Sequence, residues 1–220
     1  MMQPNVKYCF FDLDGTLIDS SPGILRSFNY ALDKMGLSQF QRTDTASFIG
    51  PPLFDVFQKE RGLSPTDAKR AVDLYREAYR AGGILECTLY DGIIDLLVSL
   101  RACGIICVLA TCKPHEFAKR ILSHHGIDGY FDFVSGPEMN GTRNEKSEVI
   151  AYAIEQLGIT DLREVIMIGD RDNDILGAHA CGLPCIGVLW GFGSEEELRQ
   201  AGADLLCLSP ASLLSLLTDQ

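Results

Sequence analysis

Apolar residues along this chain follow two patterns. One is short and continuous: Tyr8 to Phe11, Ile105 to Ala110, Phe131 to Ser135, Val165 to Ile168 and Pro184 to Val188, with a weaker run at Leu205 to Leu208. Runs of that length, bounded by turn residues or charges, have the pattern of strands buried on both faces of a parallel sheet. The other pattern recurs every three to four residues over Gly92 to Cys103, His115 to His125, Lys146 to Leu157 and Asp174 to Cys181. That is the spacing of helices with one apolar face. Strand and helix alternate, which predicts right-handed βαβ units and an α/β fold with a doubly wound, Rossmann-like parallel sheet.

Between about Ser20 and Glu86 the alternation stops. Helical spacing runs over Pro22 to Met35, Leu53 to Arg61 and Thr66 to Ala81, Ser64-Pro65-Thr66 suits a helix start, and no convincing strand intervenes. The expected organisation is a core made of residues 1–19 and 87–220, interrupted by an all-helical cap over residues 20–86. Ile49-Gly50-Pro51-Pro52-Leu53 is the one rigid turn of the insertion, either an ordinary interhelical loop or a loop that closes over a site.

Composition narrows the function. The chain has 220 residues, 46% of them hydrophobic and 22% charged, which is enough to bury a substantial core. No apolar run approaches the roughly 20 residues that span a bilayer, and the amino terminus lacks the basic region and apolar stretch of a secretory signal. The expected location is cytoplasmic, with no membrane partner. A net charge of -11 argues against a nucleic-acid polymer, whose binding rests on clustered Lys and Arg. A small anionic substrate is still compatible, since a local cation can reverse the field within one cleft. An acidic, ordinary surface suits a monomer or a small homo-oligomer. The eight cysteines are scattered through apolar segments with no Cys-x-x-Cys pair, as reduced core residues would be. Asn140-Gly141-Thr142 matches a glycosylation sequon but is read as a turn, and His124-His125 has no partners at metal-ligand spacing.

The chemistry gathers where the strands end. Tyr8 to Phe11 stops in Asp12-Leu13-Asp14-Gly15-Thr16. In open α/β sheets ligands bind beyond the carboxyl ends of strands, and two acids this close want a cation or a proton between them. Thr111-Cys112-Lys113 follows the second strand and supplies a hydroxyl and an ammonium. Arg143-Asn144-Glu145-Lys146 precedes a helix and adds cations. Gly169-Asp170-Arg171-Asp172-Asn173-Asp174 follows the fourth strand and is densely acidic. It begins like a calcium-binding EF-hand loop, but the sixth position is Ile175 where glycine is needed and the twelfth is Cys181 where glutamate is needed. Each piece has an ordinary alternative, such as a turn, a helix cap or a solvated lysine. Together, acids on one pair of loops and donors on the other suit a divalent cation beside a phosphate.

In these motifs the chain resembles the haloacid dehalogenase superfamily of phosphohydrolases, with a helical cap inserted after the first motif. Asp12-Leu13-Asp14-Gly15-Thr16, Thr111, Lys146, and Gly169-Asp170 with Asp174 match the family's four motifs in order. Trp190-Gly191-Phe192-Gly193-Ser194-Glu195 and Asn140-Gly141-Thr142-Arg143 are similar to a subgroup of phosphoglycolate phosphatases and 5′-nucleotidases. The resemblance implies hydrolysis of a small phosphorylated metabolite with Mg2+ as cofactor. It makes Asp12 the nucleophile and Asp14 the group that protonates the leaving oxygen and then activates water; crowding by Asp12 and burial favour the protonated form of Asp14 at the start. Mg2+ would be held by Asp12, the backbone carbonyl of Asp14, and Asp170, with Asp174 orienting its waters or pairing with Lys146. Thr111 and the amide of Cys112 would bind phosphoryl oxygens, and Lys146 would neutralise their charge. Lys113 is a candidate for the same pocket, and Arg143 and Arg171 are candidates for an anionic substrate tail. The Cys112 thiol is rejected as nucleophile because no histidine base is placed to activate it. A phosphomutase using the same aspartyl-phosphate is the alternative activity, followed by a scaffold that has lost catalysis. A dehalogenase is disfavoured, because members with that chemistry lack the second acid.

Overall fold

A computed structural model of the chain describes residues 6–41, 49, 52–140 and 142–218. Gly50 and Pro51 of the expected turn, and Gly141 of the sequon, lie outside the described residues. The chain divides into two compact units, one comprising Met1–Ile18 and Leu89–Gln220, the other Asp19–Thr88.

In chain order the elements begin with β1 (Tyr8–Phe11), β2 (Ile18–Asp19), α1 (Ser21–Lys34), α2 (Leu53–Arg61), α3 (Pro65–Ala81) and β3 (Thr88–Leu89). They continue with α4 (Ile93–Ala102), β4 (Ile106–Ala110), α5 (His115–His124), β5 (Phe133–Ser135), α6 (Lys146–Gln156) and β6 (Val165–Gly169). The last are α7 (Asp172–Ala180), β7 (Cys185–Val188), α8 (Glu195–Ala201), β8 (Leu205–Cys207) and α9 (Pro210–Thr218).

Six strands form one sheet in the order β5-β4-β1-β6-β7-β8, every neighbouring pair parallel, and β2 and β3 form a separate two-stranded sheet. The chain winds outward from β1 to one edge and then returns to the other side of β1. The strand order therefore reverses at β1, and in a doubly wound sheet this reversal opens a crevice at the strands' carboxyl ends. Register makes the crevice specific. Phe11 is level with Leu109 on one side and Ile168 on the other. Continuing the chain by one residue brings Asp12 beside the ends of both neighbours, and its amide donates to the Ile168 carbonyl at 2.9 Å.

Alternation along the strands divides the core between two faces. Phe10, Val108, Met167 and Cys185 are aligned across the sheet and share a buried cluster with Val149, Ile150 and Ala153 of α6 and Ile175 and Ala178 of α7. On alternate positions Cys9, Phe11, Cys107, Leu109, Ile166, Ile168 and Ile186 are also buried. The helices covering the sheet bury one face: α4, for example, buries Ile93, Leu96, Leu97 and Leu100, and its outer face exposes Asp95 and Arg101 together with the apolar Ile94 and Val98.

Several element boundaries move for local reasons. Ile105 belongs to the turn before β4, because its amide closes on Leu100 of α4 at 3.0 Å. Phe131 precedes β5 and packs edge-on against Phe11, with centroids 6.3 Å apart. Helix α7 starts two residues before its apolar spacing does, because the Asp174 carboxylate accepts from the Arg171 amide at 3.0 Å and caps the first turn. The weak run at Leu205 to Leu208 is a strand that ends at Cys207, leaving Leu208 exposed.

The unit Asp19–Thr88 has its own core. Phe28 of α1 contacts Phe40, Phe57 and Tyr75, with centroid separations of 5.5, 5.1 and 4.8 Å. Its longest helix, α3, is started by Ser64, whose side chain accepts from the Asp67 amide, with Pro65 in the first turn where its missing N–H costs nothing.

Candidate active site

The loop after β1 folds back at once. The amides of Leu17 and Ile18 donate to the Leu13 carbonyl, and Gly15 donates to Ile18 at 2.8 Å. Gly15 turns the chain at φ +87°, where a side chain would be strained and its Cβ would strike the Asp170 carboxylate. Asp12 and Asp14, two residues apart, enter the crevice from this turn.

Lys146, the first residue of α6, is almost wholly buried. Its Nζ donates to Asp12 Oδ1 at 2.7 Å and to the Ala110 carbonyl at 3.0 Å, and lies 2.6 Å from Asp174 Oδ1. The last contact is close enough for an ion pair but out of line for a hydrogen bond. Asp12, Asp170 and Asp174 are all buried, each offering a carboxylate oxygen within 4.8 Å of the others.

The charges in this cluster are unbalanced. Three carboxylates face one ammonium, leaving two negative charges in a place that water barely reaches. Burial pushes the Asp12 carboxyl up to about 6; Lys146 pulls it down, and Asp174 and Asp14 push it further up. Burial also holds Asp170 well above the carboxylate range, helped by Asp174 and Asp12 and opposed by hydrogen bonds from the Phe192 amide and the Thr16 hydroxyl. For Lys146, burial acts downward, but Asp12 and Asp174 outweigh it and hold the ammonium well above its ordinary value. Lys146 therefore stays charged, and the uncompensated charge falls on the acids. A hard divalent cation with oxygen ligands supplies what the cluster lacks, so the donor set fits Mg2+.

Asp14 is placed differently from Asp12. Lys113 Nζ holds both of its oxygens, at 2.7 and 2.6 Å, and the lysine side chain is only 6% exposed. Lys113 is thus not a solvated lysine, and the Asp14 carboxylate has a partner outside the three-acid cluster. The buried Thr111 hydroxyl accepts from the Lys113 amide at 3.1 Å, so its own proton remains to be donated. Cys112 is next to this network, and burial raises its thiol to about 11, which leaves it protonated and a poor nucleophile.

The two arginines each have a glutamate partner. Arg143 pairs with Glu138 and lies over the Tyr152 ring at 4.0 Å, with its backbone at φ +64°. Arg171 Nε donates to Glu197 at 2.7 Å.

Three residues lie inside the quoted motifs, but their roles at the site were not foreseen. Thr16 donates to Asp170 Oδ1 at 3.1 Å, the Phe192 amide donates to Asp170 Oδ2 at 2.8 Å, and the Trp190 indole donates to the Thr16 carbonyl at 2.9 Å. The two glycines of Trp190-Gly191-Phe192-Gly193 were the available signal, since a backbone that must approach another closely excludes a Cβ.

With this geometry the comparisons with known proteins agree. Residues 9–188 match the haloacid dehalogenase-like hydrolase family. A 5′-nucleotidase from Pseudomonas aeruginosa is 40% identical over 214 residues, 97% of this chain and 95% of that one. A phosphoglycolate phosphatase from Colwellia psychrerythraea is 29% identical over 200 residues, covering 87% of this chain and 88% of the other. The solved structure of Mycobacterium tuberculosis Protein Tyrosine Kinase A (PtkA) superposes with a TM-score of 0.84 at 33% identity, covering 98% of this chain and 100% of that one. The chain belongs to the haloacid dehalogenase-like hydrolase family and is a phosphatase.

Proposed function

We propose that the chain hydrolyses small phosphomonoesters with Mg2+ as cofactor, through an aspartyl-phosphate on Asp12. The observation that carries this reading is the buried Asp12–Lys146 pair at 2.7 Å beyond β1, set beside Asp170, which follows β6, and Asp174, in the first turn of α7. Asp12, Asp170 and the Asp14 carbonyl would hold the cation, with Asp174 nearby; when bound, it would neutralise phosphoryl charge and leave Asp12 ionised at neutral pH.

The protein's own groups then divide the work. Lys146 fixes Asp12 Oδ1, leaving Oδ2 to attack phosphorus in line. The P–O bond to the leaving group breaks as the Asp12 O–P bond forms. Thr111 Oγ1 and the Cys112 amide donate to the transferring oxygens, where positioning and charge stabilisation dominate phosphoryl transfer. Asp14 gives its proton to the leaving oxygen and then takes one from the water that cleaves the acyl-phosphate. The Lys113 ion pair suits the second, ionised role; an incoming phosphate offers Lys113 a competing anion and releases Asp14 for the first. Residues 20–86 act as the cap that selects the substrate.

Phosphoglycolate and nucleoside monophosphates come first among substrates to test, because a phosphoglycolate phosphatase and a 5′-nucleotidase are among the relatives. Similarity to PtkA makes transfer to a hydroxyl other than water's the second reading. Eight free cysteines suit the reducing cytoplasm, and among the described residues no helix is long and apolar enough to cross a membrane. Phosphate release should be measured across a panel of phosphorylated metabolites, with Mg2+ and with excess chelator. Mg2+-dependent release that disappears in Asp12→Asn supports the reading; equal release from that variant, or in chelator, refutes it.

A further inference from the structure

We propose that Trp190 is a positioning residue for Asp170, acting through its own loop and through Thr16, and that it thereby sets how tightly the acidic cluster holds a divalent cation. This rests on the proposed reading of Asp12, Asp170 and the Asp14 carbonyl, with Asp174 nearby, as a metal site.

Asp170 follows the end of β6 and is fully buried, yet its carboxylate is fixed by donors from two other loops. Thr16, after β1, holds Oδ1 at 3.1 Å, and the Phe192 amide, after β7, holds Oδ2 at 2.8 Å. A carboxylate held at both oxygens presents its remaining lone pairs in set directions. That orientation is only as fixed as the distance between the two donor loops.

Trp190 fixes that distance. Its indole N–H donates to the Thr16 carbonyl at 2.9 Å, tying the loop that carries one donor to the residue that is the other. The backbone after Trp190 then lies directly against Asp170: a Cβ on Gly191 would strike the Asp170 side chain, and one on Gly193 would strike the Asp170 carbonyl. Both ends of the loop are anchored. Leu189 donates to Cys207 at 2.9 Å, and Ser194 caps α8 by accepting from the Glu197 amide at 3.1 Å. The Glu197 carboxylate accepts from Arg171 Nε at 2.7 Å and the Asp172 amide at 3.1 Å, returning the loop to the residues that flank Asp170. Because Thr16 and Asp170 are shielded from water, losing their hydrogen bond leaves unsatisfied groups that solvent cannot repair.

A loop that only filled space would affect folding stability and nothing else. The test is isothermal calorimetry of Mg2+ binding to the wild-type protein, Trp190→Phe, Thr16→Val and the double variant, with a thermal melt of each in chelator. Trp190→Phe removes the indole donor and leaves a smaller aromatic ring in its place. It should weaken Mg2+ binding about 10-fold, and Thr16→Val by about 10- to 100-fold, the range typical for partners that orient metal ligands. The double variant should lose less than the product of the two, because both act on Asp170 by one route. Should Trp190→Phe fail to fold, Trp190→Tyr, which keeps more of the aromatic bulk and also lacks the indole N–H, takes its place beside Thr16→Val. Wild-type affinity in Trp190→Phe, with only the melting temperature lowered, overturns the proposal whatever Thr16→Val does. A wild-type protein that binds no Mg2+ overturns instead the metal reading on which it rests.

Discussion

Lys113 Nζ contacts both oxygens of Asp14, at 2.7 and 2.6 Å, so the acid beside the proposed nucleophile has a lysine of its own. The two aspartates of the first motif are each paired, Asp12 with Lys146 and Asp14 with Lys113, and the pairs come from different loops. Replacing Lys113 by Met keeps the buried stem and removes the charge. The expected result is a fall in kcat of about 10- to 100-fold, below the full 10²–10⁴ of a lost general acid–base because Asp14 itself remains. Steady-state kinetics against pH would show it, and an unchanged profile would make the ion pair a resting-state contact only.

Asp12→Asn should abolish turnover and change how stability responds to pH. The folded carboxyl is raised to about 6 from 3.8, so its contribution is fully present below pH 3.8 and is lost as pH rises through about 6. Cation-free protein should therefore lose stability from this group between about pH 4 and 6, by an amount on the order of 2–3 kcal/mol. In Asp12→Asn that slope should flatten, though Asp170, shifted in the same direction, keeps part of it. Lys146 retains Asp174, so the variant should still fold. Chemical denaturation in chelator at several pH values checks this, and an unaltered slope would remove Asp12 as its source.

Mg2+ should stabilise the protein more at pH 8 than at pH 5, because protons and the cation compete for Asp12 and Asp170. At 100 times its dissociation constant the gain is about 2.7 kcal/mol. Thermal shift with and without Mg2+ at both pH values measures it. A gain that is the same at pH 5 and pH 8 would place the cation elsewhere.

Gly177→Ala tests the packing behind Lys146. Alanine normally stabilises a helix interior by about 0.5–1 kcal/mol relative to glycine. Here a Cβ would sit 2.6 Å from Lys146 Cγ and 3.1 Å from the Ser147 amide, so the lysine stem must move. The sign should reverse, with a loss of about 1–3 kcal/mol, and activity should fall because Nζ leaves Asp12. Stabilisation with full activity would show that the stem is free to shift.

How much of this was legible in the chain differs residue by residue. The run Tyr8 to Phe11 ending in Asp12 could be read as a buried strand feeding a site, because a strand apolar on both faces must lie inside a parallel sheet. Thr111, Lys146, Asp170 and Asp174 were legible for the same reason, since each follows a strand or opens a helix at the same end of the sheet. The short helix α8 and the Leu-rich α9 were not, because neither carries a spacing that separates helix from loop on its own. The hydrogen-bonding roles of Trp190 and Phe192 were not legible either, since a donor 20 or more residues from its acceptor leaves no mark in local pattern.

The sequence by itself determined the parallel α/β core, the helical insertion and the acids at its strand ends, because burial periodicity and turn chemistry act over a few neighbouring residues. Only the tertiary structure decided which cation meets which acid. Lys146 reaches Asp12 across 134 positions and Lys113 reaches Asp14 across 99, and Trp190 ties its loop to Thr16 across 174. Such partners are chosen by sheet order and register, and those are set by the packing of the whole core.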